Sequence, residues 1–291
     1  MRIAVTGANG FVGTTLCQFL TKAGHKVTTI TRNPFTLPDC TNLVIPHSAP
    51  IPSIDNQDCF IHLAARTHHL DESKAVLDIY RRDNVALSCY FAQLAINTGA
   101  KRFIYISSIK VNGEETTRPF RHDDIPVPQD AYGISKWEAE CQLKDLLTAS
   151  KTELVVIRPP LILGENPKGN LQTLLKLINK GVPLPFKNIN NKRDIVSVEN
   201  LCSLIAIVCE HSRANGEVFL VSDGKPRSTA QIIHLLEKQS SRKAKLVSIP
   251  NKLYQWLAHI PPLKPKIQKL TGNLEVDISH TRQTLNWSPK D

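Results

Sequence analysis

Arg2-Ile3-Ala4-Val5-Thr6-Gly7-Ala8-Asn9-Gly10-Phe11-Val12-Gly13 opens the chain, and its reading decides the fold class. Arg2–Thr6 reads as a strand, and its apolar run suits a strand covered on both faces. The glycines behind it are spaced G-x-x-G-x-x-G, and a helical apolar pattern follows at once. Gly7 permits a tight turn. Gly10 lets backbone N–H groups approach a pyrophosphate, and Gly13 lets the helix pack closely on the strand. Asn9, Phe11 and Val12 complete the loop. Strand, glycine loop and helix in that order make the opening unit of a dinucleotide-binding sheet.

Outward from this unit, strand-like runs recur at Lys26–Thr31, Cys59–Ala64, Arg102–Ser107 and Leu154–Arg158. Helical patterns lie near Gly13–Ala23, Tyr80–Thr98 and Ala131–Thr148. Alternation of this kind predicts an α/β fold with a doubly wound parallel sheet. Asp194–Val198 and Glu217–Val221 flank a helical pattern over Glu199–His211 and read as the sheet's last unit. Two intervening stretches switch to short helical patterns. The expected organisation is a Rossmann domain from residues 1–160 and 192–223, interleaved with a smaller C-terminal substrate domain from 161–191 and 224–291. A chain of 291 residues has room for both.

With 41% hydrophobic and 21% charged residues, the composition is that of a soluble globular protein. Seven cysteines, an odd number without CxxC spacing, argue against a disulfide framework or zinc cluster, and no metal site is expected. No apolar run approaches the ~18 residues of a membrane span. The strand beginning at Arg2 leaves no room for a signal peptide, so a cytoplasmic location is expected. The 36 Lys and Arg against 26 Asp and Glu give +10 and a pI near 9.3, which asks for an anionic partner. No basic run interleaves with stacking aromatics, so nucleic acid is not the expected partner.

Tyr132-Gly133-Ile134-Ser135-Lys136 gives Tyr-x-x-x-Lys on a predicted helix, with both side chains on one face. A free tyrosine titrates near ~10, and a neighbouring ammonium lowers that value enough for proton transfer. At the end of the second strand, Thr28-Thr29-Ile30-Thr31-Arg32 lacks the carboxylate that holds an NAD ribose. Arg32 could instead pair with a 2′-phosphate, which favours NADP(H) over NAD(H).

Together these features resemble the extended short-chain dehydrogenase/reductase family over essentially the whole chain. Further markers are Asp58-Cys59-Phe60-Ile61-His62-Leu63-Ala64-Ala65, Asn84-Val85, Ser107–Gly113, Arg158-Pro159-Pro160 and the ending Asp277…Leu285-Asn286-Trp287-Ser288-Pro289. The resemblance implies a nucleotide-sugar enzyme. It implies Ser108 as the hydrogen-bonding hydroxyl at the reacting oxygen, Tyr132 as acid/base, and Lys136 at the nicotinamide ribose. It also implies Leu63, Ala64, Ala65, Asn84 and Pro159 on the cofactor side. Asn170, Leu171 and Arg193 are implied at a uridine diphosphate, and a homodimer through the helices Tyr80–Thr98 and Ala131–Thr148. Two positions depart from the pattern. Leu161 stands where many relatives have an Asn, and no second diphosphate arginine is evident before Asp277, where Lys266 and Lys269 are the nearest cations.

Sugar 4,6-dehydratases of that family carry Thr-Asp-Glu where this chain has Ser108-Ile109-Lys110, which removes the acid and base of dehydration. The expected chemistry is therefore at one carbon. The segments around Ser108 and Tyr132 look closer to a bacterial polysaccharide subgroup often labelled UDP-glucose 4-epimerases, several of which are 4-ketoreductases, and reduction of a UDP-4-keto-6-deoxy-N-acetylhexosamine is the first expectation. The alternative is 4-epimerisation of UDP-glucose or UDP-N-acetylglucosamine with tightly held NAD. A non-catalytic NADP sensor is a remote third reading, because such proteins commonly lose the Tyr/Lys pair. A reductase of non-nucleotide ketones is a fourth, opposed by Asn170 and Arg193.

The charge is concentrated. Residues 225–271 hold ten Lys and Arg and one acid. Part of that excess would steer a diphosphate. Part could rest weakly on an anionic membrane, beside a helical apolar stripe of Leu253, Trp256, Leu257 and Ile260.

Overall fold

A computed structural model of the chain describes residues 1–46, 50–67, 74–250, 254, 267 and 270–290. Seven parallel strands form the main sheet: β1 (Arg2–Thr6), β2 (Lys26–Thr31), β3 (Cys40–Val44), β4 (Cys59–His62), β5 (Arg102–Ile106), β6 (Glu153–Arg158) and β9 (Val218–Leu220). Their spatial order is β3-β2-β1-β4-β5-β6-β9. Strand order therefore reverses between β1 and β4, and a crevice opens outside their C-terminal ends. β1, β4 and β5 are buried almost throughout, as strands with helices on both faces must be.

On one face, α1 (Phe11–Lys22) packs against α6 (Val198–Glu210). Gly13, Leu16, Cys17 and Leu20 form the buried stripe of α1, the i, i+3, i+4, i+7 spacing of one helical face. The other face carries α2 (Lys74–Tyr80), a π-helical turn over Arg81–Ala86, α3 (Leu87–Asn97) and α4 (Ala131–Thr148). Asp130 caps α4, its Oδ1 accepting from the Gly133 amide at 2.8 Å. The buried face of α4 is Ser135, Lys136, Ala139, Glu140, Leu143 and Leu147. Arg102, 1% exposed, ties β5 to the end of α6 by donating to the carbonyls of Val208 and His211.

The sheet's last unit differs from expectation. Asp194–Val198 does not add a strand to it. β8 (Ile195–Ser197) pairs only with β7 (Leu161–Leu163), in a separate two-stranded sheet. α6 and β9 alone complete the large sheet. A three-residue strand carries no signal of which sheet it joins, because pairing is settled by the path of the preceding segment. The edge strand β3 was not evident either, since Cys40-Thr41-Asn42-Leu43-Val44 is half exposed and only weakly apolar. The rest of the smaller lobe contains α5 (Gly169–Asn179) and α7 (Thr229–Glu237), which pack together around Leu171, Leu174, Ile178, Ile233 and Leu236. α8 (Ser279–Leu285) closes against β9. The stripe Leu253, Trp256, Leu257 and Ile260 lies outside the described residues. Among the described residues, no helix is long and apolar enough to cross a membrane.

A backbone clip joins Phe120 and Asp194 to residues 274–277. The amide of Asp194 donates to Leu274 O, Phe120 N to Glu275 O, and Asp277 N to Phe120 O. Asp194 Oδ2 accepts from Val276 N at 2.8 Å, and burial pushes its carboxyl up to about 6. A carboxyl that is more basic folded than unfolded contributes stability at pH below about 4 that is lost as pH rises through about 6. Asp194→Asn keeps the acceptor and removes the charge. It is expected to flatten the pH dependence of urea unfolding between pH 4 and 6, and to raise stability at pH 7 by about 2–3 kcal/mol.

Candidate active site

At the reversal point, Gly7 and Ala64 meet backbone to backbone. Gly7 has φ +70°, and a Cβ on it would lie 2.8 Å from the Ala64 amide nitrogen. A Cβ on Gly13 would overlap the Gly7 carbonyl oxygen. The loop Gly7–Gly10 is thus pinned between β4 and α1. Gly10 is the N-cap of α1, and no side chain caps the helix nor does an acid occupy its first turn. Its first amides and the positive end of its dipole face the crevice, a fit for an anionic pyrophosphate. Asn9 is exposed there, whereas Phe11 and Val12 are partly buried. Phe11 abuts Gly164 just past β7. Leu63, Ala64 and Ala65 form the opposite wall. Arg32 is exposed at the end of β2, and the next carboxylate in the chain is Asp39. Thr31 spends its hydroxyl locally, donating to Asn33 O at 2.8 Å.

Below this wall, His62 is fully buried among Phe91, Phe103 and Tyr105. Its Nδ1 bonds Thr6 Oγ1 at 2.7 Å, and burial together with nearby Lys136 pushes its pKa down to about 3. The ring is therefore neutral and packs as part of the core.

Ser108 lies just past β5, and Tyr132 and Lys136 stand one turn apart on α4. Ser108 caps the short 3₁₀ turn Ile109–Val111, its Oγ accepting from Lys110 N. Burial pushes Tyr132 up to about 12, opposed by Lys110 and by the nearby Ser108 hydroxyl. Lys136 is 1% exposed, and burial pushes it down to about 7 against the pull of Glu140. Its ammonium donates to Ile106 O at 2.7 Å and stands 4.1 Å above the Tyr105 ring. The sequence suggested Lys136 as the cation that tunes Tyr132. The cation opposing the burial of the phenol here is Lys110, whose Nζ lies 5.9 Å from its ring centroid.

Asn84 is fully buried in the π-helical turn and its side chain is already engaged. Its Oδ1 accepts from Arg66 N at 2.7 Å, and its Nδ2 donates to Arg66 O and Ser135 Oγ. It thereby fixes the Leu63–Arg66 wall to α4. Pro159 is buried and its carbonyl accepts from Ile109 N at 3.0 Å, holding the Ser108 turn on β6.

On the substrate side, Asn170 is exposed in the first turn of α5, while Leu171 is buried in the lobe's own core. Leu171 therefore has only its backbone to offer a ligand. Arg193 donates to Gly272 O at 2.9 Å, and burial lowers its pKa. Arg227 lies directly opposite it in an antiparallel bridge, which puts the two side chains on one face. The buried Nε of Arg227 has no hydrogen-bond partner. No spacing in the sequence announces this pair, because 34 residues separate its members.

A second group also escaped the sequence. Ser107 Oγ, Glu140, Arg158 and Asn112 form one buried chain. Arg158 meets Glu140 through two bonds, at 3.0 and 2.6 Å. The available signal was Glu140 at eight residues past Tyr132, one further turn along the same face of α4.

The sequence pattern of the NAD dependent epimerase/dehydratase family matches residues 3–222. The chain belongs to that family. Among its relatives, a Vibrio cholerae protein named UDP-glucose 4-epimerase is 39% identical over 303 residues, covering 99% of this chain and 90% of that one. An Escherichia coli protein named dTDP-4-dehydro-6-deoxyglucose reductase is 24% identical and covers 99% of this chain and 92% of its own. The fold is shared with the UDP-glucuronic acid 4-epimerase from Bacillus cereus in complex with NAD, at a TM-score of 0.77 and 21% identity, covering 100% of this chain and 94% of that one.

Glu140→Ala is expected to leave Arg158 buried without its counter-charge. The expected loss in chemical denaturation is about 3–5 kcal/mol.

Proposed function

We propose that this family member is an NAD(P)-dependent oxidoreductase acting at C4 of a UDP-sugar. The observation that carries the reading is the placement of Ser108, just past β5, and Tyr132, in the first turn of α4, at the same end of the sheet as the glycine cradle at its reversal point. The Gly7–Gly13 loop would hold a nicotinamide dinucleotide there, which would supply the hydride chemistry. Ser108 orients the reacting sugar oxygen and Tyr132 moves the proton at that oxygen. Lys136, whose ammonium now rests on Ile106 O, is the residue the family resemblance assigns to the cofactor ribose. Positioning dominates such a reaction, since donor and carbonyl must meet near contact.

Reduction of a UDP-4-keto-6-deoxy-N-acetylhexosamine is the first reading. It is supported by the absence of a carboxylate at the end of β2, with Arg32 in its place. This arrangement suits NADP(H), which a reductase consumes each turnover. A phenol that holds its proton also suits the donor required for reduction. Epimerisation at C4 is the second reading, favoured by the 39% identical Vibrio cholerae relative. Dehydration is opposed because Ile109 transfers no proton and Lys110 is tied to Asp130 and Glu114. For the nucleotide, Arg193 and Arg227 offer two guanidinium groups on one face, matched to a diphosphate.

A second copy of the chain would seat on the outer face of α4. There Arg81, Val85, Ala86, Trp137 and Cys141 line a hollow of about 660 Å³.

NADPH mixed with UDP-4-keto-6-deoxy-N-acetylglucosamine should lose its nicotinamide absorbance on addition of enzyme. No consumption at high enzyme would overturn the reductase reading. Interconversion of UDP-glucose and UDP-galactose without added cofactor would establish the epimerase. Tyr132→Phe should lower turnover at least ~100-fold while dinucleotide binding persists. Arg32→Ala should weaken NADP binding more than NAD binding, as read by calorimetry.

A further inference from the structure

Lys110 sits where three elements meet. Its amide donates to Ser108 Oγ at 3.3 Å. Its carbonyl oxygen crowds α4 so closely that a Cβ on Gly133 would lie 2.9 Å away. Its ammonium pairs with Glu114 at 2.8 Å and with Asp130 Oδ2. Asp130 has a second task, because its other oxygen caps α4 through Gly133 N. One carboxylate thus joins the lysine to the turn that carries Tyr132.

We propose that Lys110 is a positioning residue for Tyr132: it locks the first turn of α4 to the Ser108 turn and is the cation that faces the phenol. The inference rests on the reading of Tyr132 as the proton-transfer group. The groups around the phenol are Lys110 and Ser108 from the segment after β5, Asp130 from the cap, Tyr80 from α2 and Tyr105 from β5. Lys136 lies one turn on along α4, with its ammonium directed to Ile106 O. Burial, Asp130 and Tyr80 keep the proton on the phenol, and Lys110 and Ser108 act against them. The paired carboxylates hold Lys110 charged despite its burial, so its effect persists across the neutral range. Without the ammonium, the negative charge of Asp130 would remain beside the phenol unopposed by it.

The test places 3-fluorotyrosine at position 132 of the full chain and follows its ¹⁹F signal against pH, with neither substrate nor cofactor. In Lys110→Met the midpoint should rise by about one unit or more, and Lys110→Arg should restore it. A folded Lys110→Met with an unmoved midpoint would overturn the proposal. Should that variant not fold, Asp130→Asn serves, because removing the opposing charge must lower the midpoint. A midpoint that stays or rises there also overturns it. Wild-type turnover on the UDP-sugars is measured in parallel. Its absence would sink the proposed reaction, whereas the titration reads Lys110 without any turnover.

Discussion

The ion pair of Glu140 with Arg158 is the interaction on which the site depends. Both side chains are almost fully buried, and such a pair is tolerated only where its hydrogen-bonding capacity is met. Ser107 and Asn112 meet the remainder. These four residues come from the segment after β5, from α4 and from β6. Their mutual satisfaction fixes how far α4 is rotated and how far it slides along the sheet. Lys136 lies one turn before Glu140 and Tyr132 one turn before that, so the pair sets where both side chains fall along the sheet. A shift of α4 by one residue would bury Cys141 in place of Glu140 and leave Arg158 without a counter-charge.

The same geometry explains the condition of the two titrating groups. α4 brings Lys136 under the sheet's covering layer, where burial strips its ammonium of water and leaves the Ile106 carbonyl and the Tyr105 ring as its company. Tyr132, nearer the cap, keeps its proton. A neutral phenol beside a hydroxyl is ready to donate to a developing alkoxide, and needs a further positive charge before it can accept. Lys110 supplies part of that charge from the opposite side of the site. The acid/base behaviour therefore depends on both ends of the first two turns of α4.

The architecture was legible in the sequence to the extent that it rests on local signals. Strand, glycine loop and helix lie within the first two dozen residues, and Tyr-x-x-x-Lys is one helical turn, so periodicity and spacing carry them. What escaped depends on contacts between distant segments. β8 is three residues long, and its partner β7 lies across a helix from it. Arg227 gains its meaning from pairing with Arg193, and Lys110 from the α4 cap twenty residues on. Asn84 shows the converse. The sequence marked it as a residue of interest, but its engagement by Arg66 and Ser135 could not be read, because that depends on a fold-level meeting of a loop and two helices.

Net charge is a poor guide until partners are counted. Lys110 is cancelled by Asp130 and Glu114, Arg158 by Glu140, and Arg66 by Asp83. None of these adds to the attraction of an anion into the crevice. Arg193 and Arg227 differ: among the described residues neither has a carboxylate within ion-pair distance, and burial already weakens the hold of Arg193 on its proton. Two arginines whose side chains leave the backbone bridge on one face suit a ligand bearing more than one negative charge. That couple, rather than the chain's overall +10, is the feature on which the proposed nucleoside-diphosphate reading rests. The antiparallel bridge keeps it assembled before any ligand arrives.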